Sequence, residues 1–152
     1  MVARAQDRSL AEIRFYTGVP TPHQHKHWHD FWTNKLRFLE NKKVYVYKGR
    51  INSGGQEKGV DVSIAIDLIR LTYEKAYEVA ILISGDHDLG PAVKLAKEIA
   101  SGQNRQLAFE GVCPWEPGKY EQRGIPGTEW VRLSKQTYDA CHDPKDYRGP
   151  KP

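Results

Sequence analysis

Two aspartates spaced two residues apart, Asp86 and Asp88, are the side chains of this chain best placed to do chemistry. They follow the apolar run 79–83 and precede Pro91, which can occupy the first turn of a helix. Ligands in open α/β sheets bind at the carboxyl ends of strands, where an extended Asp-x-Asp segment turns both side chains to one side. Clustered carboxylates repel each other unless a hard cation such as Mg²⁺ or Mn²⁺ lies among them. The pair indicates a metal site; the alternative interpretation is that Asp86 caps the helix and Asp88 is solvated.

A third aspartate, Asp61, begins a predicted helix over residues 60–78. An acidic residue in the first turn is favourable to the helix dipole, which is one interpretation of Asp61. The other is a third oxygen ligand from another loop at the same sheet edge, with Lys58 beside it to meet a phosphate. Asp67 lies six residues further on and would point about 120° away from Asp61 around the helix axis. The two side chains therefore cannot coordinate the same ion. Because an unpaired charge in an apolar helix is costly, we expect Asp67 to have a hydrogen-bond partner.

The pattern of apolar residues predicts the elements that position these side chains. Strands are predicted from alternation and β-rich composition at 12–17, 43–47, 79–83, 106–110 and 130–133. Apolar residues three and four apart predict an amphipathic helix at 25–40, a largely buried helix at 60–78 and a helix at 91–102. The wholly apolar strand is expected to be covered on both faces. Gly-rich and Pro-rich loops are predicted at 52–59 and 113–127. Strands that alternate with helices give an α/β domain with a mainly parallel sheet.

Length and composition favour one globular domain over residues 1–143, followed by a polar, frayed tail at 144–152. Lys and Arg total 23 against 19 Asp and Glu, and the net charge of +4 favours polyanionic partners without requiring one. The two cysteines form no CxxC pair, which excludes a disulfide framework and a thiolate zinc site and favours the reducing cytoplasm. No apolar run approaches the length of a membrane span, so no membrane contact is expected.

Cations and aromatic residues form weaker patterns. Lys48, Arg50 and Lys58 flank the glycine loop, and Arg123 lies near an aromatic pair in the later loop. Such mixtures suit binding of a nucleic-acid backbone and its bases, and the alternative is an ordinary polar surface. Histidines occur at positions 23, 25, 27 and 29. We interpret them as solvated residues at a helix entry, because no carboxylate or thiolate has a matching ligand spacing.

Two segments resemble a known family: Lys58-Gly-Val-Asp61-Val-Ser-Ile-Ala-Ile-Asp67 and Ile81-Leu-Ile-Ser-Gly-Asp86-His-Asp88-Leu-Gly-Pro91. They resemble the NYN domain of the LabA-like group in the PIN-like nuclease superfamily, and the similarity extends over residues 14–18 and 138–147. The resemblance implies a Rossmann-like sheet flanked by helices, whose acidic centre binds Mg²⁺ or Mn²⁺ and cleaves RNA. It implies Asp61, Asp86 and Asp88 as catalytic metal ligands, with Asp67 and Ser84 as supporting residues.

The start of the chain departs from the family pattern. Family members usually begin with a strand that ends in an Asp, whereas this chain opens on what resembles their second strand, and Asp7 does not match. We therefore expect a domain that is N-terminally truncated relative to the family. A sheet without a central strand exposes two lines of backbone donors and acceptors, which predicts a homodimer or a strand-swapped oligomer.

These observations support two functions from different classes. The first is a metal-dependent endoribonuclease that hydrolyses RNA phosphodiesters, with Lys48, Arg50, Lys58 and Arg123 binding the RNA. The second is a catalytically weakened RNA-binding or regulatory module on the same fold. Phosphatase chemistry on the Asp86 and Asp88 pair is disfavoured, because that chemistry normally places its Asp-x-Asp after the first strand of a domain.

Overall fold

The structure is a computed structural model that describes residues 8–117 and 124–148. Strands and helices alternate through most of the chain, and the strands form two three-stranded sheets, which confirms the predicted α/β class. The chain divides into two compact units, residues 1–63 with 145–152 and residues 64–144. Among the described residues, no helix combines the length and apolar character that a membrane span requires.

The first unit contains β1 (Arg14–Val19), α1 (Pro22–Asn41), β2 (Tyr45–Ile51) and β3 (Glu57–Lys58). Its sheet has the order β1-β2-β3, in which β1 and β2 are parallel and β3 is antiparallel to β2. A capping box starts α1: the Thr21 side chain accepts from the backbone of Gln24, whose side chain accepts from the Thr21 backbone. The helix packs on one face of the sheet, with the Trp32 and Phe15 ring centroids 6.1 Å apart.

The end of the described chain also packs on α1. Tyr147 is only 4% exposed, and its ring centroid lies 6.0 Å from that of Phe31 and 5.6 Å from that of Phe38. The Asn34 side chain donates to the Tyr147 carbonyl over 3.1 Å. Hydrogen bonds from Arg148 lower the pKa of the neighbouring Asp146 to about 2. The expectation of a frayed tail from residue 144 is therefore wrong up to residue 148, because one aromatic side chain anchors the segment.

The second unit holds most of α2 (Val60–Tyr73), whose first turn belongs to the first unit. It continues with β4 (Val79–Ile83), α3 (Gly90–Gly102), β5 (Ala108–Trp115), β6 (Glu129–Ser134) and α4 (Lys135–Ala140). Its sheet has the order β4-β5-β6, and both pairings are parallel. The core is formed by apolar side chains of α2, α3, β5 and the segment before β6: Leu68, Leu89, Ala92, Val93, Ala96, Phe109 and Ile125.

Two burial expectations are wrong. Helix α2 is not largely buried, since Val62 is 61% exposed and Ile66 is also exposed, and it ends at Tyr73 rather than at residue 78. The helix ends in a Schellman motif, in which the Ala76 amide donates to the Leu71 carbonyl. Strand β4 is not fully covered on both faces, since its last residue, Ile83, is 77% exposed.

The later elements differ from the predictions in extent. Strand β5 continues to Trp115, well beyond the predicted end at residue 110, because it pairs with β4 on one side and β6 on the other. Helix α4 was not predicted, and it begins where the Ser134 side chain accepts from the Thr137 amide over 3.1 Å. Residues 118–123 of the predicted loop lie outside the described residues.

Candidate active site

The acidic turn after β4 brings Asp86 and Asp88 together on one short segment. The Asp86 amide donates to the Ser84 hydroxyl over 3.1 Å, and Asp86 Oδ1 accepts from the Asp88 amide over 2.9 Å. Residues His87–Leu89 form a single 3₁₀ turn that runs into α3, and the buried side chain of Leu89 anchors this turn in the core. The turn is thus fixed at both ends, by Ser84 and by Leu89.

The sequence correctly placed the pair at the end of a strand but not its backbone geometry. The expected extended Asp-x-Asp segment is wrong, because Asp86 is the N-cap of the 3₁₀ turn and Asp88 lies inside that turn. The physical cause is the capping bond, since a carboxylate satisfies an amide that the start of a helical turn leaves unpaired. Asp86 therefore caps the 3₁₀ turn and not the predicted helix, since α3 has Leu89 at its N-cap without a side-chain capping bond.

The capping bond uses only Oδ1 of Asp86 among the carboxylate oxygens of Asp86 and Asp88. Within the described part of the chain, Asp86 Oδ2 and both carboxylate oxygens of the exposed turn residue Asp88 make no hydrogen bond. Across residues 8–117 and 124–148, no group of three or more His, Cys, Asp and Glu side chains is arranged to hold a metal ion. Mg²⁺, however, is usually bound through one or two carboxylates, with water and substrate phosphates as the other ligands. The available oxygens of this turn fit such an ion.

Asp61 lies in the first unit, in the first turn of α2, after the sharp turn at Gly59. Gly59 has a φ of 81°, a conformation that suits glycine. Its carbonyl accepts a hydrogen bond from the Ser63 amide at the start of α2. The helix start also needs glycine at position 49, where a Cβ would lie 2.8 Å from Val60 Cγ2. Local chain geometry therefore fixes where Asp61 stands relative to β2.

Glu57, in the first unit beside Lys58, is a residue that the sequence reasoning missed. Its Oε1 accepts from the Gly18 amide over 2.7 Å and from the Thr17 hydroxyl over 3.2 Å, at the carboxyl end of β1. A side chain at Gly18 would leave no room for this contact, since a Cβ there would lie 2.8 Å from Glu57 Cγ. Glu57 ties the turn that carries Lys58 and Asp61 to β1. Its position next to Lys58 in the motif was the available signal.

The supporting residues have defined partners. Asp67 Oδ1 accepts from Arg70 over 3.2 Å, so Asp67 has the partner that was expected. Arg70 also donates to Glu74, and the hydrogen bonds that Arg70 donates to the two carboxylates raise its pKa, the bond to Glu74 contributing most. Ser84 accepts from the Asp86 amide, as described above. Both residues thus act on the conformation of their own segments.

The predicted RNA-binding cations fall into two groups. Lys48 and Arg50 lie on β2 and Lys58 on β3, all in the first unit, and Lys48 Nζ lies 2.9 Å from Glu40 Oε1. Arg123 lies outside the described residues. The structure therefore places three of the four cations on one small sheet.

The histidine cluster lies in the first turns of α1. His25 has φ −155° and ψ 83°, which interrupts the regular helix at that residue. His27 packs edge-on against Trp28, with centroids 5.9 Å apart, and His29 lies 3.3 Å from Asp30. Hydrogen bonds from Lys26 and then His29 lower the pKa of Asp30. These contacts agree with residues at a helix entry.

Comparison with known proteins gives two matches. The model of a family described as the NYN domain matches residues 2–101. An uncharacterized protein of Sinorhizobium fredii, y4oD, is 45% identical over 93 residues, which cover 59% of this chain and 42% of y4oD. The chain thus spans less than half the length of this relative. No solved structure matches the chain.

Proposed function

Because this chain belongs to the NYN domain family, which is nuclease-like and RNA-related, we propose that it is a metal-dependent endoribonuclease. The observation that carries the proposal is the acidic turn, where Asp86 and Asp88 keep carboxylate oxygens available at the end of a parallel strand. Ligands of open α/β sheets bind at this end of the strands. NYN and PIN-like nucleases typically use divalent metals, and we propose Mg²⁺ or Mn²⁺ here.

Each residue of the site has a separate task in this proposal. Asp86 Oδ2 and the Asp88 carboxylate would hold the ion, while Asp86 Oδ1 keeps the turn in shape. Asp61 is the third carboxylate that the family resemblance assigns to the metal. Lys58 binds a phosphate of the RNA. A bound divalent ion activates water for attack on a phosphodiester and stabilises the charge that develops. Asp67 and Ser84 support the conformation of their segments.

Replacing Asp88 with Asn tests the metal site. We expect Asp88→Asn to weaken Mn²⁺ binding about tenfold or more, since a hydrogen-bonded or coordinated charge contributes about 1.5–3 kcal/mol, and to abolish Mn²⁺-dependent cleavage of a labelled RNA. Calorimetric titration measures the first effect and gel electrophoresis of the RNA the second. Asp139→Asn is the matched control, because Asp139 is an exposed aspartate of α4 that pairs with Lys135.

Two other outcomes would change the proposal. Equal Mn²⁺ binding by the wild type and Asp88→Asn would remove the acidic turn as the metal site. Tight RNA binding by a wild-type protein that cleaves no RNA, with Mn²⁺ or Mg²⁺ present, would favour the RNA-binding or regulatory module instead. Asp86→Asn separates charge from folding, since an Asn side chain retains a capping oxygen.

A further inference from the structure

The sheet of the first unit has one face that α1 does not cover. Side chains alternate along a strand, so the Phe15 face of β1 packs on α1 while Arg14, Tyr16 and Gly18 point to the other side. In the parallel register these residues lie opposite Tyr45, Tyr47 and Gly49 of β2. Three tyrosines and an arginine therefore share the second face, at the amino-terminal end of both strands.

The three rings form a contiguous surface, which we call the tyrosine face: Tyr16, Tyr45 and Tyr47. The Tyr16 centroid lies 6.3 Å from that of Tyr45 and 6.0 Å from that of Tyr47, with tilted planes. Arg14 Cζ lies 4.2 Å from the centroid of the Tyr45 ring. Tyr45 is 41% exposed, and the other two rings are half-buried. Tyrosine, which has an apolar ring and a polar tip, suits a surface in contact with water more than a closed core.

The tyrosine face runs directly into the turn that carries Lys58 and Asp61. At the carboxyl end of the same face, Gly18 and Gly49 make room for Glu57 and Val60. A Cβ at Gly59 would lie 3.4 Å from the Tyr47 hydroxyl, so this hydroxyl lies close to the turn. A ligand that lies on the tyrosines is thereby delivered to the motif residues of the first unit.

Charge indicates what kind of ligand this face meets. The first unit has 14 Lys and Arg against 7 Asp and Glu, a net charge of 14 − 7 = +7. The second unit has 9 against 12, a net charge of 9 − 12 = −3. The mild overall charge of +4 thus conceals one strongly basic unit, and this is the unit that holds the aromatic face. Aromatic rings combined with cations are the surface that binds single-stranded nucleic acid by base stacking.

We propose that the tyrosine face is a base-stacking surface for single-stranded RNA, with Tyr45 as the principal ring and Arg14 beside it. The nature of the ligand rests on the proposed function, whereas the surface itself rests on the geometry of β1 and β2. Bases stack on the rings, and Arg14, which lies over the Tyr45 ring, is a cation of the same face. The RNA then continues past Tyr47 towards the turn at Gly59.

Binding measured without metal separates this proposal from the nuclease. Fluorescence anisotropy with a labelled single-stranded RNA, in EDTA, measures affinity while no metal-dependent cleavage occurs. We expect Tyr45→Ala to weaken binding about five- to 150-fold, the range for loss of one stacked base. Tyr45→Phe keeps the ring and should bind within about twofold of the wild type. Tyr73→Ala, which removes an exposed tyrosine at the end of α2, is the matched control and should bind as the wild type does.

An RNA of the same length with abasic positions provides the decisive comparison. If stacking is the interaction, the wild type binds the abasic RNA more weakly, and Tyr45→Ala causes no further loss. Tyr45→Leu, which keeps apolar area without an aromatic face, covers the case in which Tyr45→Ala fails to fold. Unchanged affinity in both the Ala and Leu variants, or an equal loss for normal and abasic RNA, would overturn the proposal. Loss of RNA cleavage with unchanged RNA binding would concern the proposed metal site at the acidic turn, and not the tyrosine face.

Discussion

At the scale of single residues, Glu57 links two parts of the first unit. Its carboxylate joins the end of β1, through Thr17 and Gly18, to the turn before α2. A Gly18 amide without this acceptor would lose its hydrogen bond at a partly buried position, where the cost of an unmade bond is greatest. One acidic side chain therefore holds the segment from which Lys58 and Asp61 project.

Replacing Glu57 tests this role. We expect Glu57→Ala to lower the free energy of unfolding by about 1–2 kcal/mol, since the amide and the hydroxyl both lose their acceptor. Glu57→Gln keeps an oxygen at the same position and should retain most of the stability. Urea denaturation followed by tryptophan fluorescence measures both variants. Equal loss in the two would mean that the carboxylate charge, rather than the hydrogen bond to Gly18, stabilises the turn.

At the scale of elements, strand β4 combines an apolar sequence with an edge position. All five of its residues, Val79–Ile83, are apolar, and within the described sheet it pairs on one side only, with β5. Exposed apolar edge strands pair readily with other chains, and proteins usually protect them with charges, bulges or covering segments. Strand β4 carries no charge, and Ile83 at its end is highly exposed. We propose that two copies of the chain associate through this edge.

A charge at the end of β4 tests the association. We expect the wild-type protein to dimerise at micromolar concentration and Ile83→Lys to shift it towards monomer, because a lysine on an edge strand opposes pairing. Light scattering coupled to gel filtration gives the mass of both. Leu95→Lys is the control, because it places the same charge on an exposed apolar position of α3. A wild-type monomer across this concentration range would contradict the proposed dimer.

At the scale of the whole molecule, the charges are divided between the two units. The first unit carries +7 and the cations Lys48, Arg50 and Lys58, whereas the second carries −3 and the acidic turn. Polyanions are attracted to basic surfaces, and divalent cations to clustered carboxylates. The division therefore suits RNA binding by the first unit and metal binding by the second.

This division predicts how RNA affinity depends on salt. Each phosphate contact to single-stranded nucleic acid lowers log K by about 0.7 per decade of salt, so three contacts give a slope of about −2. We expect Lys58→Glu to weaken binding and to make this slope shallower. Lys94→Glu, on an exposed position of α3 in the acidic unit, should change neither. Titrations at several NaCl concentrations measure the slopes, and a flat salt dependence of the wild type would exclude phosphate binding by these cations.

Local chemistry allowed the sequence to predict much of this protein. The apolar run at 79–83 matches β4, and the Asp-containing motifs placed the chain in the NYN family. Such features depend on a few neighbouring residues, and their physical causes act within one strand or one helical turn. The ends of helices were less predictable. Lys43, Lys75 and Asn104 follow α1, α2 and α3 in the left-handed conformation, where sequence rules expect glycine.

Only the tertiary structure decided which side chains meet across the chain. Tyr147 is buried because α1 presents Phe31 and Phe38 to it, which no local pattern near residue 147 indicates. Tyr16 and Tyr47 share a face because β1 and β2 pair in parallel and in one particular register, and a shift of one residue would separate them. Contacts between distant residues follow from packing and register, and these are properties of the folded chain rather than of any segment of it.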